Sequence, residues 1–192
     1  MKRQSVRAVF LDRDGVINYD SPDYILKPEA WRPIPGSLEA IARLRRENIA
    51  VAIVSNQSAL GRGMIDQDTF HAIHTKMMRM IEEAGGAIAH AAYCPHAPGD
   101  SCACRKPKPG LVYEALNSLG LGQCADRVVF IGDSVRDVQA AVDAGVWPVL
   151  VQTGYGDAGQ ILARSKQLFP MIEVYPDLAA AVDRILGAEP CS

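Results

Sequence analysis

Val6-Arg7-Ala8-Val9-Phe10-Leu11-Asp12-Arg13-Asp14-Gly15 is an apolar run that ends abruptly on two carboxylates and a glycine. Its residues favour strands, and the run is nearly continuous, as in a strand buried on both faces. Working outward, residues 50–54, 128–131 and 146–151 repeat the pattern, and residues 88–93 form a weaker version. Helical patterns fall between these runs. Ser37 caps a helix over 38–47, with Leu38, Ile41, Ala42 and Leu44 on one face. Asp66 caps a second that carries Phe70, Ile73, Met77, Met80 and Ile81 and stops at Gly85-Gly86. Further helices are predicted over 110–119, 135–144 and 178–186. Strands alternating with helices predict an α/β fold: a parallel sheet covered on both faces.

In such sheets, ligands bind beyond the carboxyl ends of the strands. Strand one ends at Asp12, strand two at Ser55 and the third clear strand at Asp133.

Composition narrows the function classes. The 192 residues suit one domain, taken as 1–192. A net charge of −2 without a basic stripe argues against a nucleic-acid partner. No apolar run approaches the roughly 18–20 residues that span a bilayer, so no membrane partner is expected. The apolar stretch after the basic start is too short for a signal peptide, which points to the cytoplasm. A monomer is expected, and the last few residues are expected to fray.

Asp12-Arg13-Asp14-Gly15 carries chemistry if it faces a site. Residues two apart in an extended segment point the same way, so Asp12 and Asp14 share a side, and Gly15 lets the chain turn sharply. One carboxylate can attack phosphorus while the other manages protons. Taken alone, the stretch equally fits a surface turn. Ser55-Asn56-Gln57-Ser58 offers donors for phosphate oxygens, or a polar turn. In Arg105-Lys106-Pro107-Lys108-Pro109-Gly110, a lysine can neutralise phosphate charge. Asp133, in Gly132-Asp133-Ser134-Val135-Arg136-Asp137, can hold a hard cation such as magnesium, or cap the next helix.

In this order, the four segments resemble the motifs of the haloacid dehalogenase-like phosphohydrolase superfamily, over roughly residues 8–150. The resemblance implies a magnesium-dependent phosphatase with Asp12 as nucleophile, Asp14 as general acid and base, and Ser55 and Lys106 binding the transferring phosphoryl group. Magnesium would rest on the Asp12 carboxylate, the Asp14 main-chain carbonyl and Asp133. Asp137 matches the second acid of the last motif and either joins the metal site or orients Lys106.

Five cysteines, an odd number, do not suggest a disulfide framework. Cys94, His96, Cys102 and Cys104 match a closed tetrahedral zinc site whose role would be structural, bracing the loop that delivers Arg105 and Lys106. The alternative is a set of free thiols or a redox pair. Cys124 and Cys191 have no clustered partner, and His71, His74 and His90 have no nearby ligand set.

A zinc loop ending in Cys-x-Cys-Arg-Lys-Pro resembles the branch that holds heptose bisphosphate phosphatases and the histidinol-phosphatase domain. Asp12–Asn18, Pro22-Asp23-Tyr24 and Ser55–Gly63 are more similar to the heptose-bisphosphatase family. That family implies hydrolysis of the 7-phosphate of a heptose 1,7-bisphosphate. Histidinol phosphate, or a catalytically silent phosphoryl-binding protein, is the alternative. The chain leaves no room for a separate cap domain, so specificity falls to loops. The substrate-binding residues expected there are Asn18, Asp20, Ser21, Pro22, Asp23 and Tyr24, then Ser55, Asn56, Gln57, Ser58 and Arg62, then Arg105, Lys106 and Ser134. Some relatives carry lysine where this chain has Ser134.

Overall fold

A computed structural model of the chain describes residues 6–187. The expected frayed end and Cys191 lie outside the described residues. Six parallel strands form one sheet: β1 (Ala8–Leu11), β2 (Ala50–Asn56), β3 (His90–Cys94), β4 (Val128–Gly132), β5 (Trp147–Val151) and β6 (Glu173–Tyr175). Their spatial order is β3-β2-β1-β4-β5-β6. The chain builds outward from β1 to one edge, then returns to lay β4 on its other side. β1 thus sits where the direction of winding reverses, the place at which such sheets open a crevice.

Alternate strand residues enter different cores. Val9, Leu11, Val51, Ile53, Val129 and Ile131 face one layer. That layer contains α1 (Ser37–Arg46), α3 (Gln67–Glu83) and α7 (Leu178–Leu186). Ala8, Phe10, Ala52, Val54, Val128 and Phe130 face the other, formed by α4 (Gly110–Ser118) and α5 (Val135–Asp143). Both faces of the strands are buried, which is why their sequences read as unbroken apolar runs.

Several local expectations are corrected. Gly36, with φ of 81°, holds the N-cap position of α1. Ser37 is the first helical residue, and its hydroxyl donates to the Ile17 carbonyl at 2.7 Å. β3 begins two residues later than predicted, at His90. Asp66 does cap α3, accepting from the Thr69 amide at 2.8 Å. Besides two short 3-10 turns, Pro28–Ala30 and Ala125–Arg127, three elements were not anticipated: α2 (Ser58–Gly61), α6 (Ala158–Leu168) and the edge strand β6.

The loop between β1 and α1 is strapped down. Trp31 is fully buried, and Lys76 Nζ on α3 donates to the Pro28 and Trp31 carbonyls at 2.7 and 2.9 Å. No helix among the described residues is long and apolar enough to cross a membrane.

Candidate active site

Register places the acidic residues. Leu11 pairs with Ile131, and the Asp12 amide extends that ladder by donating to the Ile131 carbonyl at 3.1 Å. Asp12 and Asp133 therefore leave adjacent strand ends together. Gly15 turns the chain with φ of 80°. The Asp133 carboxylate fits a notch made by two glycines. A Cβ on Gly154 would lie 1.7 Å from Asp133 Oδ2, and one on Gly15 2.5 Å from it. Carboxylate oxygens of Asp12, Asp133 and Asp137 lie within 4.8 Å of one another. Burial, then the charges of Asp137 and Asp12, push the Asp133 carboxyl up to about 9. Burial also raises Asp12, to about 6, against the pull of Lys106. Three crowded acids of this kind form an oxygen-rich site that a hard divalent cation relieves.

Lys106 is buried and points into the same cluster. Its Nζ lies 2.9 Å from Asp12 Oδ2 and 2.6 Å from Asp137 Oδ1, and donates to the Val54 carbonyl at 2.8 Å. Burial opposes its charge, but Asp12 and Asp137 outweigh burial and hold the ammonium above its ordinary range. Asn56 grips its backbone from both sides: the Lys106 amide donates to Asn56 Oδ1 at 3.0 Å, and Asn56 Nδ2 donates to the Lys106 carbonyl at 3.1 Å. Asp137 is itself fixed, its Oδ2 accepting from the Ser134 amide at 3.0 Å and hydroxyl at 2.5 Å.

Asp14 shares the cavity with Asp12 but stands in a different field. Its Oδ1 accepts from Arg13 Nε at 3.0 Å and Asn18 Nδ2 at 2.8 Å. Its Oδ2 accepts from Arg13 Nη2 and Gln57 Nε2, both at 2.9 Å. Burial works to raise this carboxyl, yet Arg13 and the other donors overcome it and leave Asp14 below the usual carboxylate range. The two neighbouring aspartates are thus pushed apart, with Asp12 the one that a bound cation would bring back toward its anion.

Behind Lys106, the end of β3 and the loop after it gather three sulfurs and a ring nitrogen. Cys94 Sγ lies 3.7 Å from Cys102 Sγ and 3.3 Å from Cys104 Sγ. His96 Nδ1 lies 3.5 Å from Cys94 Sγ and 3.3 Å from Cys104 Sγ. A tetrahedron with Zn–S of about 2.3 Å and Zn–N of about 2.0 Å has edges of about 3.5–3.8 Å, so the donor set fits zinc. Burial and the neighbouring thiols push Cys104 up to about 12. The loop is tightly seated, since a Cβ on Gly61 would lie 2.4 Å from the Pro95 carbonyl and one on Gly110 2.4 Å from the Ala103 carbonyl. Arg105 Nη1 donates to the His96 carbonyl at 3.0 Å.

This order of strand-end acids, serine and lysine is matched by a known family. Residues 10–145 match the haloacid dehalogenase-like hydrolases. The chain belongs to that family. Among similar proteins is the D-glycero-beta-D-manno-heptose-1,7-bisphosphate 7-phosphatase of Bordetella bronchiseptica, 42% identical over 181 residues, which cover 94% of this chain and 98% of the relative. The enzyme of the same name from Pseudomonas putida is 45% identical over 152 residues, covering 79% and 86%. A crystal structure of the D,D-heptose 1,7-bisphosphate phosphatase from B. bronchiseptica, complexed with magnesium and phosphate, superposes with a TM-score of 0.87 at 42% identity, covering 95% of this chain and 99% of that one.

In this haloacid dehalogenase-like hydrolase, one cavity of about 270 Å³ brings together Asp12, Asp14, Ser55, Lys106, Asp133 and Asp137. Asp20, Ser21, Pro22 and Tyr24 line it from the β1–α1 loop, and Asn56, Ser58 and Arg105 from the other side. Tyr24 holds a left-handed φ of 62° there, uncommon for a bulky side chain. Five expected contact residues do not line the cavity. Asn18 is fully buried beneath it, with its amide spent on Asp14 and the Tyr19 carbonyl. Gln57 is buried and holds Asp14 and the Ser55 hydroxyl. Ser134 is the N-cap of α5, the role foreseen as an alternative for Asp133. Asp23 and Arg62 are exposed outside the lining.

Three contributors were missed. Arg136 lines the cavity, Arg13 clamps Asp14, and Gly154 makes room for Asp133. Gly154 follows β5, so the strand-end rule applied to that strand as well would have pointed to it. Arg136 is the second residue of α5, three after Asp133 and inside the strand-end motif already singled out.

Proposed function

We propose that this chain is a magnesium-dependent phosphatase that removes the 7-phosphate of D-glycero-D-manno-heptose 1,7-bisphosphate through an aspartyl-phosphate intermediate. The observation that carries the reading is the Asp12 carboxylate 2.9 Å from Lys106 in a cavity rich in hydroxyl, amide and charged groups. Those groups suit a polar sugar phosphate better than an apolar or imidazole ligand. The names of the similar proteins support the same substrate.

The transferring phosphoryl group sits between Lys106 and the Ser55 hydroxyl, which offset its charge so that anionic Asp12 can approach. An Asp12 oxygen forms a bond to phosphorus as the bond from phosphorus to the sugar oxygen breaks. Asp14 gives the departing oxygen its proton. It then takes a proton from the water that attacks phosphorus and frees Asp12. In the free protein Asp14 is an anion turned onto Arg13, so its acid role requires it to leave that clamp and take up a proton from solvent before it can give one to the departing sugar oxygen.

Asp12, Asp133 and the Asp14 main-chain carbonyl would hold magnesium, and the fit rests on the crowded oxygens and the glycine notch. Bound there, the cation supplies positive charge against the phosphate oxygens. Cys94, His96, Cys102 and Cys104 would hold zinc with no open position, leaving it a structural role beneath Arg105 and Lys106.

The test is phosphate release, with magnesium, from heptose 1,7-bisphosphate and from histidinol phosphate, with the cleaved position read by phosphorus NMR. Higher kcat/KM on the heptose with loss of the 7-phosphate is expected. Preferential cleavage of histidinol phosphate, or release of the 1-phosphate, overturns the substrate.

A further inference from the structure

A second cavity, of about 350 Å³, adjoins the first and shares Arg105, Lys106 and Arg136 with it. The two differ sharply in charge. Five aspartates line the first: Asp12, Asp14, Asp20, Asp133 and Asp137. The second has four cations in its lining, the shared three and Lys108, and no carboxylate. A site that separates charge in this way accepts a ligand with an anion at each end: one to react among the acids and metal, one to rest among the bases.

Three of the four cations are already engaged. Lys106 bridges Asp12 and Asp137. Arg105 donates to the His96 carbonyl, and Lys108 to the Cys102 carbonyl at 2.6 Å. Arg136 is exposed, and its guanidinium has no hydrogen-bond or ion-pair partner among the described residues, although its charge is felt by Asp20 and Asp137. It is mounted in the first turn of α5, between Asp133 and Asp137, so its distance from the reacting group is set by the helix. A cation in a first helical turn opposes the helix dipole. Such a local conflict is expected where function requires the residue.

We propose that Arg136 is a specificity-determining residue that seats the second, non-transferred phosphate of the substrate in this adjoining cavity. The assignment rests on the sugar-bisphosphate reading above. The planar guanidinium can bind two phosphate oxygens at once, which lysine cannot reproduce.

The experiment compares Arg136→Ala and Arg136→Lys with the unaltered enzyme on heptose 1,7-bisphosphate and heptose 7-phosphate, with melting temperature as the check on folding. For Arg136→Ala, kcat/KM on the bisphosphate should fall by about 10- to 100-fold, chiefly through KM. The loss on the monophosphate should be at least tenfold smaller, and Arg136→Lys should recover part of the difference. Equal losses on both substrates, or none, overturn the Arg136 assignment while leaving the bisphosphate reading intact. An unaltered enzyme that cleaves neither heptose overturns the substrate reading and the assignment with it.

Discussion

Asp12 and Asp14 stand two residues apart and differ in chemistry because of what touches them. Asp12 meets one ammonium in a cluster of acids; Asp14 meets four donors. Asp12→Asn keeps the shape and loses the anion. Turnover should fall by roughly 10⁴-fold or more with the melting temperature nearly preserved; substantial residual activity would remove Asp12 as nucleophile. Gln57→Ala takes a donor from both Asp14 and Ser55. Its kcat should drop by roughly tenfold with a smaller change in KM, since it touches the two groups proposed to move protons and bind phosphate. An unchanged kcat would mean Arg13 and Asn18 suffice. Gly154→Ala inserts a methyl where Asp133 Oδ2 now lies. The displaced carboxylate should weaken magnesium binding, measured by calorimetry on the folded variant; wild-type affinity would rule out the notch as a part of the metal site.

At the scale of elements, the loop after β3 ties the four-donor cluster to the lysine that follows it. Elemental analysis of protein purified without chelator should find about one zinc per chain, and Cys102→Ser should lose it. The same variant should bind inorganic phosphate more weakly, because Lys106 lies two residues beyond Cys104. Zinc-free protein with full phosphate affinity would sever that link. Elements were legible in the sequence where burial was strong. The four clear strands have nearly all residues buried, and their runs of Val, Ile and Phe leave little ambiguity. β6 is three partly buried residues at the sheet edge, too short to impose a period. α6 buries only Ser165, so its apolar face is faint. The strand ends revealed which acids converge. They did not reveal which polar residues point inward: Asn18 and Gln57 have the groups a sugar needs, but the backbone turns them under Asp14, and residue type alone carries no such direction.

On the scale of the molecule, the site depends on one sheet with cores on both sides. Phe10 is fully buried in the core opposite α1 and α3. Phe10→Ala should cost about 3–5 kcal/mol in chemical unfolding, and a cost below about 1 kcal/mol would show that the α4–α5 side collapses readily around the void. The neighbouring strands β1 and β4 are far apart in the chain, with Asp12 just beyond the first and Asp133 just beyond the second. Phosphatase activity is therefore a property of late synthesis. A chain still short of β4 holds Asp12 and Lys106 but lacks Asp133 and Asp137, so its acid cluster is incomplete. Regained turnover after dilution from denaturant accordingly reports the closing of the central strand pair, not the formation of any local piece.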